Sequence, residues 1–459
     1  GLEVEVRDVE RVQVAQALCE EHEVHVFEKS DALGGVWREN YCGYALQVPA
    51  ELYEFVGFPC KDPKRFSSGD EVRGYIDEYV SVAELTTRAT VHLEEEVTGV
   101  RHGSDSEWIV STCSPQQGRK EYAFDYCVVA TGMYHVPYVP ASLRDLDHVV
   151  HSSRFVDAST VAGKNVSVVG GGNSAIDCAV AAAAHANRTT LITRELHWPV
   201  PRFILGCIPF KWGTYSRLGH FLLPKHWCVT QREAWWHDRL RPIKRCVWSL
   251  LERVFAIQFG MDRTPGAPLD IDLFNGGQIL TYEFRDAVAS GKIRHVISSD
   301  LAQARNDDVV VCGTGFTKSY DIFEADVLAR LDLQTDGLWL YKNIVPVGVK
   351  ALAFVGSEVS TFNNILTQHL QAQWLKHHIH ALCTVGLDPE HMEEYVQSER
   401  RWKRSWMADT PSRASLVQLH MIKYHDTLQT DMGRPCVKTA WWEWMLPHDA
   451  RDYTRMGGL

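Results

Sequence analysis

Apolar and polar residues alternate along two short segments near the start of the chain. Leu2–Val6 alternates aliphatic and acidic positions and predicts a strand, and Glu23–Lys29 predicts a second strand. The segment 9–21 between them has apolar residues at helical spacing, so it predicts a helix. Strand, helix and strand form the first unit of a nucleotide-binding fold, in which a glycine-rich loop would join the first strand to the helix.

The same alternation of strands and helices continues along the chain. Buried strands run into Thr-Gly turns at 124–134 and 307–316, and 351–382 combines a strand, a polar loop and a long helix. Between them, 163–186 contains a strand, a glycine loop and an alanine-rich helix, and 188–195 predicts the next strand. This pattern places the chain in the α/β class with doubly wound sheets.

Composition narrows the classes of partner. The 459 residues suffice for about two or three domains, and 47 basic against 58 acidic residues give a net charge of −11, which disfavours nucleic acid. The twelve cysteines form no CxxC pair, so we expect a cytoplasmic protein without disulfides or zinc. His377 and His380 share a helical face but lack a third ligand, so no metal site is predicted. No apolar segment reaches the about 20 residues that span a membrane.

Aromatic residues are frequent in this chain. Its fifteen tryptophans indicate an aromatic-lined cavity, with scattered core packing as the alternative. Thr439–Leu446 is strongly aromatic, which suggests core packing, pocket lining or a partner surface. Arg241–Phe259 is basic and amphipathic, so it predicts either peripheral contact with a membrane surface or a helix that covers the mouth of the cavity.

Two units carry residues typical of dinucleotide binding. In the alanine-rich unit, Gly170, Gly172 and Ala175 occupy the GxGxxG/A positions, where backbone N–H groups reach a pyrophosphate. The alternative is that glycine is needed there only for close packing of strand and helix. Arg194 ends the next strand, where an arginine commonly meets a 2′-phosphate, so NADPH is the predicted ligand. In the first unit, Glu28 ends the second strand, where an acidic residue normally holds a ribose.

The order and spacing of several motifs resemble those of the flavin-containing monooxygenase family, class B enzymes that use FAD and NADPH. The segments that carry the resemblance are VFEKSDALGGVWREN, LQVPAELYEFVGFPC, ATGMY, VVGGGNSAID, CGTGF and NNILTQHLQAQW. The resemblance implies two nucleotide-binding-type domains, the second inserted in the first. The FAD-like domain would be discontinuous, at 1–155 and 310–459. The NADPH-like domain would span 160–305 and include an aromatic and basic helical segment at 197–260.

The resemblance also assigns residues to FAD. The positions that match the family's FAD-binding segment are Glu28, Gly34, Gly35 and Trp37. The glycine loop before them departs from the family, because its three glycine positions fall at Val6, Asp8 and Arg11. Side chains there would occupy the space of the pyrophosphate, and an acidic residue repels it by about 1–4 kcal/mol. The loop therefore predicts a diverged member in which FAD binding is doubtful.

A second family motif is also incomplete. The family places FxGxxxHxxxF ahead of the NADPH domain, and this chain has DLDHVVHSSRF at that point. His151 and Phe155 match the motif, whereas Asp145 and Asp147 replace its phenylalanine and glycine. Because the resemblance implies that this motif couples the domains during oxygen chemistry, its loss favours the same interpretation as the altered loop.

Our main hypothesis is a non-redox biosynthetic enzyme on a degenerate flavin monooxygenase scaffold. It would be a flavin-independent cyclase or isomerase, including the Diels–Alder type, that folds an apolar terpenoid or polyketide in an aromatic cleft and requires no cofactor. The side chains proposed to polarise a carbonyl are Asn363, Asn364, Gln368 and His369, with Trp37 and Tyr53 as the pocket lining. The alternative for Asn363 is a helix cap.

The competing hypothesis is an active FAD- and NADPH-dependent monooxygenase of a small organic substrate. In that case Glu28 and the Gly34–Trp37 segment would have to hold FAD without the N-terminal glycines. The flavin spectrum of the purified protein distinguishes the two hypotheses.

Overall fold

The computed structural model describes residues 2–6, 10–38, 40–63, 66–103, 107–276, 278–280, 282–384, 386–407 and 414–456. Within these ranges the chain forms two parallel sheets, a smaller antiparallel sheet, several two-stranded ribbons and the helices that cover them. Asp8, one of the three residues at the predicted glycine positions, lies outside the described residues.

Strands and helices follow one another along the chain as the apolar pattern predicts. Up to residue 151 the elements are β1 (Leu2–Val6), α1 (Glu10–Leu18), β2 (Val24–Phe27), α2 (Gly69–Val82), α3 (Leu85–Arg88), β3 (Thr90–His92), β4 (Glu96–His102), β5 (Trp108–Ser114), β6 (Gly118–Phe124), β7 (Tyr126–Ala130), β8 (Val136–Pro137) and β9 (Val149–His151). The middle of the chain forms β10 (Asn165–Val169), α4 (Asn173–Ala183), β11 (Arg188–Thr193), β12 (Pro199–Pro201), β13 (Phe203–Ile204), β14 (Ile208–Pro209), α5 (Lys211–Thr214), α6 (Arg217–Leu222), α7 (Gln231–Arg239), α8 (Arg241–Phe259), α9 (Leu269–Asn275), β15 (Gln278–Leu280), α10 (Tyr282–Ala289) and β16 (Ile293–Ile297). The remainder forms β17 (Val309–Cys312), β18 (Phe316–Thr317), α11 (Ala325–Arg330), β19 (Leu352–Phe354), β20 (Ser360–Thr361), α12 (Asn364–Thr384), α13 (Pro389–Arg404), β21 (Leu416–Gln418) and α14 (Met421–Asp431).

The first parallel sheet has the strand order β19–β7–β1–β2–β3. Its central strand β1 pairs with β2 on one side and with β7 on the other. The edge strand β19, which pairs with β7, comes from the C-terminal part of the chain. This is the order of a doubly wound nucleotide-binding domain, which binds ligands beyond the carboxyl ends of its strands.

The second parallel sheet repeats this plan with the order β16–β11–β10–β17–β9. Helix α4 follows the central strand β10 and buries Ala175, Ile176 and Ala179. Strands β9 and β17 form one side of this sheet, although the predicted limits of 160–305 leave both outside the inserted domain. The division into domains stays a proposal, and the sheet topology extends the second unit to these two strands.

The core of the first unit is closed by the C-terminal helix α12. Leu370 and Trp374 of α12 are completely buried. Gln13 of α1 donates through Nε2 to the Ile365 carbonyl at 2.7 Å, which fixes the beginning of α12 against α1. The antiparallel sheet β4–β5–β6 packs on the first sheet through Trp108, which belongs to the same hydrophobic cluster as strands β2 and β19.

The predicted amphipathic stretch Arg241–Phe259 forms the single helix α8. Phe255 on its inner face is buried in a hydrophobic cluster, whereas Ile243, Leu250 and Ile257 are exposed on the outer face. No helix in the described part of the chain is both long and apolar enough to cross a membrane.

Candidate active site

A cavity of about 480 Å³ is lined by residues from both parallel-sheet units, and we call it the cleft. The first unit contributes Trp37, Tyr53 and Asn364, and the second contributes Gly172 and Asn173. Residues that the sequence assigned separately to the flavin-like and NADPH-like units therefore face the same space.

One wall of the cleft follows the paired glycines after β2. Gly34 has a φ of +129° and Gly35 a φ of +49°, conformations that glycine adopts with least strain. The short helix Gly35–Trp37 then places Trp37 at the cleft, where its Nε1 donates to the Tyr53 hydroxyl at 3.2 Å. The Tyr44 hydroxyl donates to the Trp37 carbonyl at 2.9 Å and holds this turn. Both predicted pocket residues, Trp37 and Tyr53, thus contact each other on this wall.

Glu28 directly follows β2, where a dinucleotide-binding domain places the carboxylate that meets a ribose. Its side chain is 1% exposed, and Oε1 accepts a hydrogen bond from the Ser30 backbone N–H at 2.7 Å. The carboxylate is therefore held in place before any ligand binds. The Trp37 end of the Gly34–Trp37 turn lines the cleft and could meet FAD there, whereas Glu28 lies outside the cleft lining and its contact with a ribose stays a prediction.

The segment that would meet the FAD pyrophosphate is only partly described. Val6 ends β1 and pairs with Ala130, and Arg11 lies in the first turn of α1. Asp8 lies between them, outside the described residues. The statement that these side chains prevent contact with the pyrophosphate therefore stays a prediction.

The two glycines of the loop between β10 and α4, Gly170 and Gly172, have different roles. Gly170 has a φ of +135°, and a Cβ there would lie 2.2 Å from the Gly313 carbonyl oxygen, so glycine is required for packing. Gly172 is the N-cap of α4, makes no side-chain cap and would bring a Cβ within 4 Å of no atom. The amino end of α4 therefore opens into the cleft, and such an end binds anions. Ala175 is completely buried, close to Gly313, and serves packing.

Arg194 is exposed and directly follows β11, as predicted for the residue that would meet a 2′-phosphate. Its neighbours Thr193 and Glu195 line a second cavity of about 750 Å³ between β11 and α10. The arrangement offers room for a nucleotide beside an exposed cationic side chain.

Side-chain hydrogen bonds connect helix α4 to the first unit beside the cleft. Asn173 at the start of α4 donates through Nδ2 to Gln47 Oε1 at 2.6 Å. One turn later, Asp177 accepts a hydrogen bond from the Tyr41 hydroxyl at 2.9 Å. Burial raises the pKa of the Asp177 carboxyl to about 6. These contacts hold the dinucleotide-type helix α4 against the flavin-like unit.

The two matching residues of the incomplete motif also join chain segments. His151 donates through Nε2 to the Gly315 carbonyl at 2.9 Å and accepts from Ser153 at Nδ1, and burial lowers its pKa. The Phe155 carbonyl accepts the Cys42 backbone N–H at 2.9 Å. His151 and Phe155 therefore secure the segments that connect the two units.

The four predicted catalytic side chains fall into two groups. Asn364 and Gln368 are four residues apart on α12 and both line the cleft. Asn363 is completely buried, and its Oδ1 accepts the Leu366 N–H at 3.1 Å, so it caps the helix and does not face the cleft. His369 is also outside the cleft lining, and burial lowers its pKa to about 4. The helical period puts residues 364 and 368 on one face of α12, which agrees with this grouping.

A smaller cavity of about 320 Å³, which we call the side pocket, was missed by the sequence analysis. It shares Gln47, Val48 and Phe362 with the lining of the cleft, so the two spaces adjoin. Its other walls are mainly aromatic and come from 202–215 and from Phe66. The density of aromatic residues after β12 is the signal that could have located it. Across the described ranges, no cluster of His, Cys, Asp and Glu side chains could hold a metal ion.

Comparison with known proteins identifies the family. The model of the flavin-binding monooxygenase-like family matches residues 11–440. The human protein named dimethylaniline monooxygenase [N-oxide-forming] 4 is 24% identical over 486 residues, covering 95% of this chain and 81% of that protein. A probable flavin-containing monooxygenase 1 of Arabidopsis thaliana is 25% identical, covering 95% of this chain and 92% of its own length.

Solved structures share the fold. S-allyl-L-cysteine S-oxygenase from Allium sativum has a TM-score of 0.63 at 16% identity, covering 96% of this chain and 90% of its own. A steroid monooxygenase bound to NADP has a TM-score of 0.67 at 17% sequence identity. OTEMO in complex with FAD and NADP has a TM-score of 0.69 at 16% identity. Each of these two matches covers 94% of this chain and 97% of the other chain. From the family match over most of its length, the chain belongs to the flavin-binding monooxygenase-like family.

Proposed function

We propose that this protein is an FAD- and NADPH-dependent monooxygenase that acts on a small organic substrate. The observation that carries the proposal is the shared cleft, where the uncapped amino end of α4 at Gly172 faces the wall that contains Trp37. A cleft shared by two dinucleotide-type units is what electron transfer between two such cofactors requires. Family membership and the FAD and NADP named for one structural neighbour support the same function.

The residues present fit FAD along the first sheet. Glu28 would accept hydrogen bonds from a ribose, and the Gly34–Trp37 turn would allow the backbone to approach the cofactor closely. Asn364 and Gln368 offer amide groups where α12 meets the cleft. When bound and reduced by NADPH, FAD supplies the activation of molecular oxygen.

The residues of the second unit fit NADPH. The N–H groups at the start of α4 would hold the pyrophosphate, and Arg194 would pair with the 2′-phosphate that distinguishes NADPH from NADH. The Asn173–Gln47 and Tyr41–Asp177 hydrogen bonds hold α4 at the cleft, so they position the NADPH site relative to the flavin-like wall.

The walls of the cleft determine which groups reach the reacting atoms. The Trp37 and Tyr53 rings, joined by a hydrogen bond, exclude water from one side. Substrate would enter through the side pocket, whose apolar walls favour an organic molecule. The balanced reaction consumes substrate, O₂, NADPH and a proton and yields oxygenated substrate, NADP⁺ and water.

The experiment that tests this proposal is the absorbance of the purified protein before and after FAD addition and gel filtration. We expect flavin absorbance that co-elutes with the protein, bleaches on anaerobic addition of NADPH and returns with air. NADPH oxidation should then be coupled to a product heavier by one oxygen atom. A protein that retains no FAD after this treatment, and oxidises no NADPH, would contradict the proposal.

A second candidate function is the flavin-independent cyclase or isomerase of an apolar terpenoid or polyketide. The observation that favours it is the sequence Val6, Asp8 and Arg11 at the three glycine positions. In that enzyme Asn364 and Gln368 would donate hydrogen bonds to a substrate carbonyl in the cleft. Substrate conversion to a product of unchanged mass, without NADPH or oxygen, would establish this function.

We also propose a cytoplasmic enzyme that touches membranes only peripherally, through α8. Ile243, Leu250 and Ile257 are exposed on one face of this helix, beside the exposed Arg253. Co-sedimentation with vesicles that contain anionic lipid tests the contact, which the change Leu250→Glu should weaken. The proposal would be refuted if the protein sedimented equally with neutral and anionic vesicles, or if the Leu250→Glu variant sedimented as much as the unmodified protein.

A further inference from the structure

The side pocket is mainly apolar, and its lining includes one acidic residue, Glu51, and one cationic residue. Its aromatic walls include Phe203, Phe210 and Trp212. Among its polar groups, the Thr214 hydroxyl already donates to the Phe210 carbonyl, and the Gln47 side-chain oxygen already accepts from Asn173. A ligand that enters this pocket therefore meets mainly ring faces and edges.

The cationic residue is Arg202, whose guanidinium forms part of the pocket lining. Its central carbon lies over the Phe66 ring, 4.2 Å from the ring centre, in a cation–π contact. Arg202 Nε is buried and has no hydrogen-bond partner, and no carboxylate within the described residues forms an ion pair with this side chain. Burial lowers the pKa of Arg202, and the negative charges of Glu283 and Asp177 oppose this shift.

Asp177 and Glu51, two acidic groups near Arg202, interact with other residues, whereas the exposed Glu283 acts on Arg202 as a nearby charge. Asp177 accepts the Tyr41 hydroxyl, and Glu51, the acidic residue in the pocket lining, interacts electrostatically with Arg451. An arginine remains protonated in proteins, and a buried donor without an acceptor is destabilising. The missing acceptor is therefore expected from a ligand.

We infer that the side pocket selects an apolar monocarboxylate, whose carboxylate pairs with Arg202 while its oxidisable end reaches the cleft past Phe362. A planar carboxylate matches the two-pronged donor geometry of a guanidinium. A volume of about 320 Å³ lies at the small end of ligand pockets, so the body of the acid is compact. This inference rests on the proposed monooxygenase function and names its substrate class.

The probe for this inference is 4-(phenylsulfanyl)butanoate, compared with the uncharged 4-(phenylsulfanyl)butanamide. Its oxidation balances: NADPH and the sulfur lone pair each give two electrons to O₂, one oxygen atom forms the sulfoxide, and the other leaves as water with two protons. For the change Arg202→Met, we expect the KM for the acid to rise about tenfold to a hundredfold, because one charge-assisted hydrogen-bond pair is lost. The KM for the amide and for NADPH should stay constant.

A comparison variant is Arg285→Met, because Arg285 also stacks on an aromatic ring, at 4.7 Å from the Tyr282 ring, but lines the cavity of about 750 Å³ and not the side pocket. It should leave the KM for the acid unchanged, and any change in its KM for NADPH is measured separately. Arg202→Lys, which keeps the charge, should recover part of the lost affinity and shows that the site still folds.

Calorimetric titration of the acid and the amide without NADPH separates this inference from the proposed function. If the protein binds the acid through Arg202 but oxidises no NADPH, the pocket assignment stands and the monooxygenase proposal fails. Equal binding of acid and amide, or an Arg202→Met variant whose defect lies in NADPH binding, would overturn the inference.

Discussion

Two alanine substitutions two residues apart should separate the packing role of glycine from its ligand-binding role. Gly170→Ala would place a methyl group 2.2 Å from the Gly313 carbonyl oxygen, in a backbone with a φ of +135°. Gly172→Ala would place the same group where no atom lies within 4 Å, in a backbone with a φ of −89° that alanine adopts freely.

The structure sets the magnitudes of the two effects on stability. At residue 170 the strained backbone costs about 1–3 kcal/mol and the steric overlap about 1–3 kcal/mol more. The free energy of unfolding of Gly170→Ala should therefore fall by about 2–6 kcal/mol. For Gly172→Ala the change should stay within about 0.5 kcal/mol, as for a substitution without new contacts.

For NADPH binding, in contrast to stability, Gly172→Ala should be the more damaging of the two substitutions. The added methyl group at residue 172 lies at the open amino end of α4, where the pyrophosphate would approach. Loss of one hydrogen bond to a charged group costs about 1.5–3 kcal/mol, so the Kd for NADPH should rise about tenfold to 150-fold.

Urea unfolding followed by circular dichroism measures the first quantity, and quenching of NADPH fluorescence in titrations of each variant measures the second. The reasoning fails if Gly172→Ala is as unstable as Gly170→Ala. It also fails if Gly172→Ala folds normally and binds NADPH as tightly as the unmodified protein.

Three further outcomes follow from the same contacts. Burial raises the pKa of Asp177 from 3.8 to about 6, so the folded protein binds a proton that the unfolded chain lacks, and stability should rise as pH falls from 7 towards 4. Asp177→Asn still accepts a hydrogen bond from Tyr41 and should stabilise the protein at pH 7 by up to about 3 kcal/mol. Urea titrations at several pH values should show a weaker pH dependence of stability in this variant, and an unchanged dependence would refute the raised pKa of Asp177. Asn363→Ala should lower the free energy of unfolding by about 1 kcal/mol and keep kcat, whereas Gln368→Ala should lower kcat about tenfold or more; equal kcat values in the two variants would contradict the separation on α12. Arg194→Gln should raise the KM for NADPH about tenfold to a hundredfold without changing that for NADH, and a parallel rise for both would mean that Arg194 does not meet the 2′-phosphate.

The fold was predictable because it depends on local patterns that repeat. The run Leu2–Val6 was predicted as a strand and forms β1 with the same limits, and Arg241–Phe259 forms one helix as its amphipathic spacing indicates. The limits of the second sheet were harder, because β9 is a three-residue strand whose pairing with β17 joins segments that are distant in sequence. Such a short strand carries too little pattern to be assigned before its partner is known.

The site was predictable only where a motif prescribes backbone geometry. Gly172 and Trp37 could be assigned from the sequence because a glycine loop and a Gly-Gly turn have few structural solutions. The side pocket could not, because Phe66 and Arg202 meet across more than a hundred positions of sequence and no motif links them. The separation of Asn363 from Gln368 depends on where α12 begins, which a sequence pattern defines only within a few residues.

Comparing the strand–helix connections of the two units shows which residue of the first unit matters most for FAD binding. Three residues separate β10 from α4, and three residues also separate β1 from α1. The number of connecting residues is therefore the same in both units, and only the residue types differ.

When the units are matched at the strand ends, Val12 corresponds to Ala175, and both are completely buried. The small alanine of the motif is therefore replaced by a larger apolar residue that is also packed in the core. Matching the strand ends shifts the three motif positions by one residue from the Val6, Asp8 and Arg11 of the sequence analysis, so that Arg7 and Val9 correspond to Gly170 and Gly172. By either match the first unit has no glycine at these positions. Of the two loop glycines in the second unit, Gly172 lines the cleft and Gly170 serves packing. The residue type at the corresponding position of the first unit, Val9, should therefore decide whether that unit binds FAD.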